Sequence, residues 1–214
     1  MDELLTRYLS LLMEWNGRMN LTAVRDAEGI RERHFADSLK LFDAAQLYGK
    51  SVVDVGSGAG FPGLPLRIRD ETIRLTLLEA TGKKADFLRT VCRELDLEDV
   101  CVCNRRAEEA AHEAAFRARF DVAVARGVAA LPLLAELLLP FVRLGGVMLA
   151  MKENGDELPS ARRAMAVLGG EEASVYEYSL NPSKKHSVIV VKKTRPTPDL
   201  YPRPWRVMQR APLI

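Results

Sequence analysis

The residues with the clearest chemical signature form one run, Asp54-Val55-Gly56-Ser57-Gly58-Ala59-Gly60-Phe61-Pro62-Gly63. It begins within a largely apolar stretch at 52–55 and precedes a helix-like stretch at 64–69. Glycines at a strand-to-helix junction allow a tight turn and let a ligand approach the backbone, and the first turn of the helix offers unpaired N–H groups. Pro62 suits that first turn. Three glycines alternating within five residues therefore predict a binding loop rather than a plain turn.

Two ligand registers can be read from the run. Gly58 to Gly63 is formally G-x-G-x-x-G, and Glu79 follows about 20 residues later at the end of a second apolar stretch, as in a dinucleotide fold. Starting instead at Asp54, the run is D-x-G-x-G-x-G, the first signature of S-adenosylmethionine-dependent methyltransferases. A carboxylate two residues before the first glycine is unhelpful beside a pyrophosphate, but it could face the ammonium or sulfonium group of that cofactor. In either register Glu79 is placed to accept hydrogen bonds from both ribose hydroxyls. Ala107-Glu108, after a third apolar stretch, is where a nucleoside base would be reached. Arg126 ends a fourth, at the carboxyl edge where ligands of open α/β sheets bind.

The elements that must hold these residues follow from periodicity. Residues 3–16 place Leu4, Leu5, Tyr8, Leu9, Leu12 and Trp15 at helical spacing, stopped by Asn16-Gly17, and a second helix is expected at 27–45 with Asp26 as its cap. Beyond Gly49, short apolar runs at 52–55, 73–78, 100–103, 121–125, 146–151, 175–178 and 188–191 alternate with helical stretches at 64–69, 83–95, 108–116, 131–141 and 156–168. Strands this apolar need helices on both faces, so the expected fold is α/β, a Rossmann-like seven-stranded and mostly parallel sheet with an N-terminal helical extension. The last two strands, joined without a helix, predict an antiparallel hairpin at Asn181-Pro182. The expected division is an N-terminal extension over 1–48, a catalytic domain over 49–193, and an extended tail over 194–214 with five prolines.

The 214 residues are 48% hydrophobic and 28% charged, which argues against global disorder. Met1-Asp2-Glu3 lacks the basic start of a signal peptide, and the most apolar stretch, 128–142, contains Glu136 and two prolines, so a membrane span is not expected. Cys92, Cys101 and Cys103 make an odd count without a C-x-x-C pair, which supports neither a disulfide framework nor a zinc site. Their apolar periodic contexts place them in the core, and a cytoplasmic location is expected. The net charge of +2 divides unevenly, because residues 184–214 hold eight basic side chains and one acid. A basic end on an otherwise acidic chain is suited to a polyanion.

Several separated motifs together resemble the bacterial glucose-inhibited-division protein B family. They are Asn20-Leu21-Thr22, Arg33-His34 with Asp37-Ser38, the glycine run in its Gly-Phe-Pro-Gly form, Gly82-Lys83-Lys84 with Phe87-Leu88, and Ala125-Arg126-Gly127. The resemblance spans nearly the whole chain, although the N-terminal region is short for the family and Ala80-Thr81 replaces a pair that is often Ser-Leu-like. It implies a class I methyltransferase fold, S-adenosylmethionine as cofactor, and methylation of guanine N7 in 16S ribosomal RNA, free or in an assembling small subunit, by a monomer. The resemblance implies cofactor contacts at Gly56, Phe61, Ala107, Glu108 and Arg126 with Glu79 as the strand-end acid, and the glycine run itself adds Asp54, Ser57, Gly58 and Gly60 as expected cofactor residues. Arg126 is also the positioning candidate, and Arg33, His34, Lys152, Lys184, Lys185, His186 and Arg203 are candidates for RNA contact. No metal is implied.

Guanine N7 bears a lone pair and no proton, so this chemistry requires neither a general base nor a covalent nucleophile, and orientation and water exclusion carry it. Other readings of the residues are a methyltransferase acting on another RNA or a small molecule, a nicotinamide-dependent oxidoreductase using the G-x-G-x-x-G register, and a non-catalytic RNA-binding module.

Overall fold

A computed structural model describes residues 2–181 and 184–214. Helix α1 (Asp2–Asn16) opens the chain. The second helical region is broken into α2 (Ala27–Ile30), a π-helical turn Arg31–Ala36, α3 (Asp37–Leu39) and α4 (Leu41–Ala44). Asp26 caps it as expected, accepting from the Gly29 N–H at 2.7 Å. π-Helical turns are rare and collect at functional sites, and this one carries Arg33 and His34.

The remaining chain alternates strands and helices: β1 (Ser51–Val55), α5 (Gly63–Arg69), β2 (Arg74–Leu78), α6 (Gly82–Glu94), β3 (Val100–Cys103), α7 (Ala107–Ala110), β4 (Phe120–Arg126), α8 (Leu131–Leu138), β5 (Val142–Lys152), α9 (Leu158–Val167), β6 (Gly170–Asn181), β7 (Lys184–Lys193) and α10 (Trp205–Arg210). The helix expected over 108–116 is a single turn followed by irregular chain, and the expected extended tail contains α10. One seven-stranded sheet runs in the order β3-β2-β1-β4-β5-β7-β6. Its neighbours pair in parallel from β3 to β5, while β7 is antiparallel to both β5 and β6. The hairpin expected at Asn181-Pro182 is present as the β6–β7 pair, but Pro182 lies outside the described residues.

Neighbouring strand residues enter different cores, which explains the lack of polar alternation. Val52, Leu75, Leu77 and Val124 pack under Leu9, Leu12, Leu64 and Phe87. Val53, Val55, Ala123 and Met148 pack under Leu134, Leu138, Ala161 and Met165. The order reverses between β1 and β4, and ligands of open α/β sheets bind at the carboxyl ends beside such a reversal. Pairing brings the chemical residues level there, with Arg126 opposite Met151, Lys152 opposite Ser187 and Tyr178 opposite His186. No helix among the described residues is long and apolar enough to cross a membrane.

The cysteine expectation fails in part. Cys101 is exposed and Cys103 half-buried because β3 is an edge strand, and Cys92, on α6, is half-buried as well. The Cys101 and Cys103 sulfurs sit 3.4 Å apart.

Candidate functional site

The glycine loop is held almost entirely by the protein itself. Gly56 and Ser57 N–H groups donate to the Leu78 carbonyl at 2.8 and 3.1 Å, and Gly60 and Phe61 N–H groups donate to the Ser57 carbonyl at 2.7 and 3.0 Å. Gly58 N–H donates to Glu79 Oε2 at 2.8 Å, and Gly63 N–H donates to Asp54 Oδ2 at 2.9 Å. The Tyr8 hydroxyl of α1 donates to the Ala59 carbonyl, so the N-terminal extension fastens the loop from outside. A pyrophosphate needs several of these N–H groups free. Here the Gly58, Gly60, Phe61 and Gly63 donors of the G-x-G-x-x-G register are bonded internally, and a carboxyl group lies under the start of α5.

Asp54, expected to face the cofactor's cationic end, instead lies wholly buried beneath the loop. Burial pushes its pKa up to about 7 against the opposing effects of the Gly63 N–H and Arg126. Its Oδ1 has no hydrogen-bond partner among the described residues. Ser57 also turns inward, donating from Oγ to the Asp54 carbonyl at 2.9 Å. Phe61 is buried against Tyr8, Phe35 and His34. Asp54, Ser57, Gly58, Gly60 and Phe61 therefore shape the loop without lining a cavity.

Two cavities flank this loop at the carboxyl edge. The smaller, about 230 Å³, is lined by Gly56, Glu79, Ala107 and Glu108 among others, which unites four of the expected cofactor residues from the ends of β1 and β2 and the first turn of α7. Glu79 Oε1 accepts from the Thr81 N–H at 2.8 Å, and Oε2 is the acceptor for Gly58. Each oxygen so engaged keeps a further lone pair. Gly56 is where backbone must come close: a Cβ there would sit 2.8 Å from Val128 Cγ2, in the turn after β4.

The larger cavity, about 790 Å³, gathers Arg33, His34, Asp37, Arg126, Lys152, Lys184 and His186. Arg126 is its brace. Its Nη1 donates to Asp37 Oδ2 at 2.8 Å and to the Arg33 carbonyl at 3.0 Å, its Nη2 meets His34 Nδ1 at 3.0 Å, and its guanidinium lies 5.1 Å from the Phe61 ring centre. His34 Nδ1 lies 3.0 Å from both Arg126 Nη2, which can only donate, and the Arg33 carbonyl, which can only accept, while its Nε2 lies 2.7 Å from Thr22 Oγ1. Burial first, then Arg126, lowers the His34 pKa to about 4, so the ring is neutral at pH 7. Asp37 also accepts from the Tyr178 hydroxyl at 2.6 Å, and His186 stacks on Tyr178 with ring centres 5.5 Å apart. Arg126 and Gly127 line the larger cavity and Val128 the smaller, so one turn separates the two.

The RNA candidates divide. Arg33, His34, Lys152, Lys184 and His186 share the larger cavity, and Lys185 is exposed nearby on β7. Lys152 and Lys184 pair there with Glu157 and Glu153 at 2.7 and 2.9 Å. Arg203 lies elsewhere, its guanidinium and backbone N–H all donating to the buried Glu136 at 2.7–2.8 Å. The basic end is also less free than its sequence suggests, since Lys193 is buried and Arg195 pairs with Glu171 at 3.1 Å. Composition hid Asp37 and Tyr178 as the hub, Tyr8 as the loop's clasp, and Trp205, which lines the smaller cavity. The Arg33-His34 and Asp37-Ser38 motifs carried the only advance signal of the hub.

The architecture has counterparts among solved structures. An O-methyltransferase from Bacillus cereus superposes with a TM-score of 0.59 at 19% identity, over 87% of this chain and 91% of that one, a likeness of fold. Sequence relatives are much nearer. A ribosomal RNA small subunit methyltransferase G from Chloroflexus aggregans is 44% identical over 209 residues, 97% of this chain and 88% of the relative. One from Acetivibrio thermocellus is 42% identical over 198 residues, 92% and 82% of the two chains. The pattern of the GidB family, rRNA small subunit methyltransferase G, matches residues 1–188. With that match covering the loop, both cavities' sheet edge and the N-terminal extension, the chain belongs to the GidB family of methyltransferases.

Proposed function

We propose that this chain uses S-adenosylmethionine to methylate guanine N7 in 16S ribosomal RNA, acting as a cytoplasmic monomer on the free RNA or on an assembling small subunit. The observation that supports it best is the pair of cavities divided by the Arg126–Val128 turn, one shaped by nucleoside-binding residues and the other walled by an aromatic, cationic and carboxylate set. The internally bonded glycine loop favours this cofactor over a dinucleotide, because no cluster of free N–H groups awaits a pyrophosphate.

In this reading Glu79 holds the cofactor's ribose through its remaining lone pairs, Ala107 and Glu108 edge the base, and Gly56 lets backbone approach the ligand. When bound, the cofactor supplies a methyl group on positively charged sulfur. The protein's part is to present N7 in line with that methyl group at about 3–3.5 Å and to exclude water. Arg126 holds the dividing turn and the π-helical turn in fixed relation through Asp37, Arg33 and His34. Neutral His34 adds no positive charge beside a purine that becomes cationic. Asp37, Glu32, Glu153 and Glu157 set acceptors around the larger cavity. Arg33, Lys152, Lys184, Lys185 and His186 take the neighbouring phosphates or stack on bases.

Transfer of labelled methyl from S-adenosylmethionine to unmodified small-subunit RNA, free and in assembling particles, followed by N7-specific strand cleavage, tests this. Label in one guanine N7 supports it. Binding of RNA and cofactor without transfer to any of these substrates would sink the reading. Lys184→Glu with Lys185→Glu should weaken RNA binding and shallow its salt dependence, leaving S-adenosylhomocysteine affinity unchanged.

A further inference from the structure

The C-terminal segment lies beyond the residues that match the family pattern, which end at 188, yet the protein fastens it at many points. Arg117 donates from Nη1 to the Tyr201 carbonyl at 2.8 Å and from Nη2 to the Thr197 and Pro198 carbonyls at 2.9 and 3.0 Å. His112 Nε2 meets the Pro202 carbonyl at 2.8 Å. Arg203 is fixed by Glu136, the neighbour of the cavity-lining Leu137 on α8. Met208, one turn into α10, is fully buried. Between the Arg203 and Met208 anchors stands Trp205, whose half-buried side chain is part of the wall of the smaller cavity.

We infer that the tail is a strap that seats Trp205 as the stacking surface for the adenine ring of the cofactor. The inference rests on the proposed seat of the cofactor in the smaller cavity. Among the described residues Trp205 is the one aromatic side chain on that cavity's wall, which is otherwise aliphatic or small, as at Ala80, Ala107 and Val128, or charged, with Arg105 and Arg106 held by Glu113 and Glu108. An indole has a broad π face that binds any flat base with little loss of side-chain freedom. The Glu136–Arg203 pair acts as the positioning device, because it fixes the backbone two residues before the indole.

The test uses the full chain with S-adenosylhomocysteine and 5′-methylthioadenosine as probes. Calorimetry should show that Trp205→Ala weakens both probes by about ten- to one-hundred-fold, as expected for loss of one stacked base, while Trp205→Phe restores most of the affinity. The sequence holds two tryptophans, so Trp15→Phe leaves Trp205 as the single indole, and its emission should change on adding either probe. Unchanged affinity in a folded Trp205→Ala protein, or an emission blind to both probes, overturns the inference and leaves the cofactor reading standing. Failure of the wild-type chain to bind either probe overturns both. A melting curve on each variant separates lost stacking from lost fold, and Trp205→Phe keeps the test decisive where alanine unfolds the strap.

Discussion

Alanine at Gly58 and alanine at Gly60 should have unequal costs although the two glycines share one loop. Gly58 has φ +57 and Gly60 φ +98. An L-residue in the left-handed region costs about 1–2 kcal/mol, and φ +98 lies outside even that small region. Surroundings widen the difference. A Cβ on Gly58 would meet nothing nearer than the Gly56 carbonyl oxygen at 3.9 Å, whereas one on Gly60 would overlap Leu64 Cδ1 and come within 2.7 Å of the Tyr8 hydroxyl. Leu64 and Tyr8 are fully buried, so neither can swing away, and overpacking of this kind adds about 1–3 kcal/mol. Gly58→Ala should therefore cost about 1–2 kcal/mol and Gly60→Ala about 3–5 kcal/mol. With a urea slope of about 2 kcal/mol/M, the unfolding midpoints should fall by roughly 0.5–1 M and about 2 M respectively. Because Leu64 is the obstacle, Gly60→Ala combined with Leu64→Ala should cost at least about 1 kcal/mol less than the sum of the single changes. Equal midpoint shifts for the two alanines, or strict additivity in the double variant, would refute the packing of α1 and α5 against the loop.

Two further outcomes follow from the buried charges. Glu136→Gln should lower stability by about 3 kcal/mol in urea unfolding, because Arg203 is left without its carboxylate, and it should open the tail to limited proteolysis; an intact tail with unchanged stability would remove the anchoring role. His34 is neutral in both folded and unfolded states above about pH 6.5, but between there and its folded value of about 4 the unfolded chain takes up a proton that the folded one does not. Stability thus falls as pH falls through that window, by about 2 kcal/mol once the partial exposure of the ring is allowed for. Asp54, with its pKa raised to about 7, acts oppositely over roughly pH 4–7, so the difference between wild type and His34→Gln is the measurement, and parallel stability curves for the two would refute the assignment.

The elements and the reaction class were legible in the chain because both depend on local order. A fully buried strand is apolar at consecutive positions, as residues 122–125 are, and a tight turn leading to a helix needs glycine where φ is positive, as at Gly56 and Gly58. Glu79, Ala107 and Glu108 could be placed because they follow strands of one parallel sheet, Glu79 directly after β2 and the other two in the first turn of α7 after β3, and the carboxyl edge collects them into one cavity. The second helical region was legible in its extent but not in its π-helical turn, which has no periodic signature and where Arg126 meets the Arg33 carbonyl and His34.

What each side chain does at the site was decided by the tertiary structure. Asp54 has the sequence position of a ligand-facing carboxylate, yet the strand's alternation turns it beneath the loop, where the Gly63 N–H needs an acceptor. Arg203 counts as surface charge in a basic tail, yet Glu136, 67 residues away, binds it in a buried pair. Asp37 and Tyr178 meet only because a helix packed on the sheet brings residues 141 positions apart within 2.6 Å. Sequence determined the backbone path through local sterics and burial. Only packing, which joins residues far apart in the chain, determined which polar groups were left facing the cavities and which had already found partners.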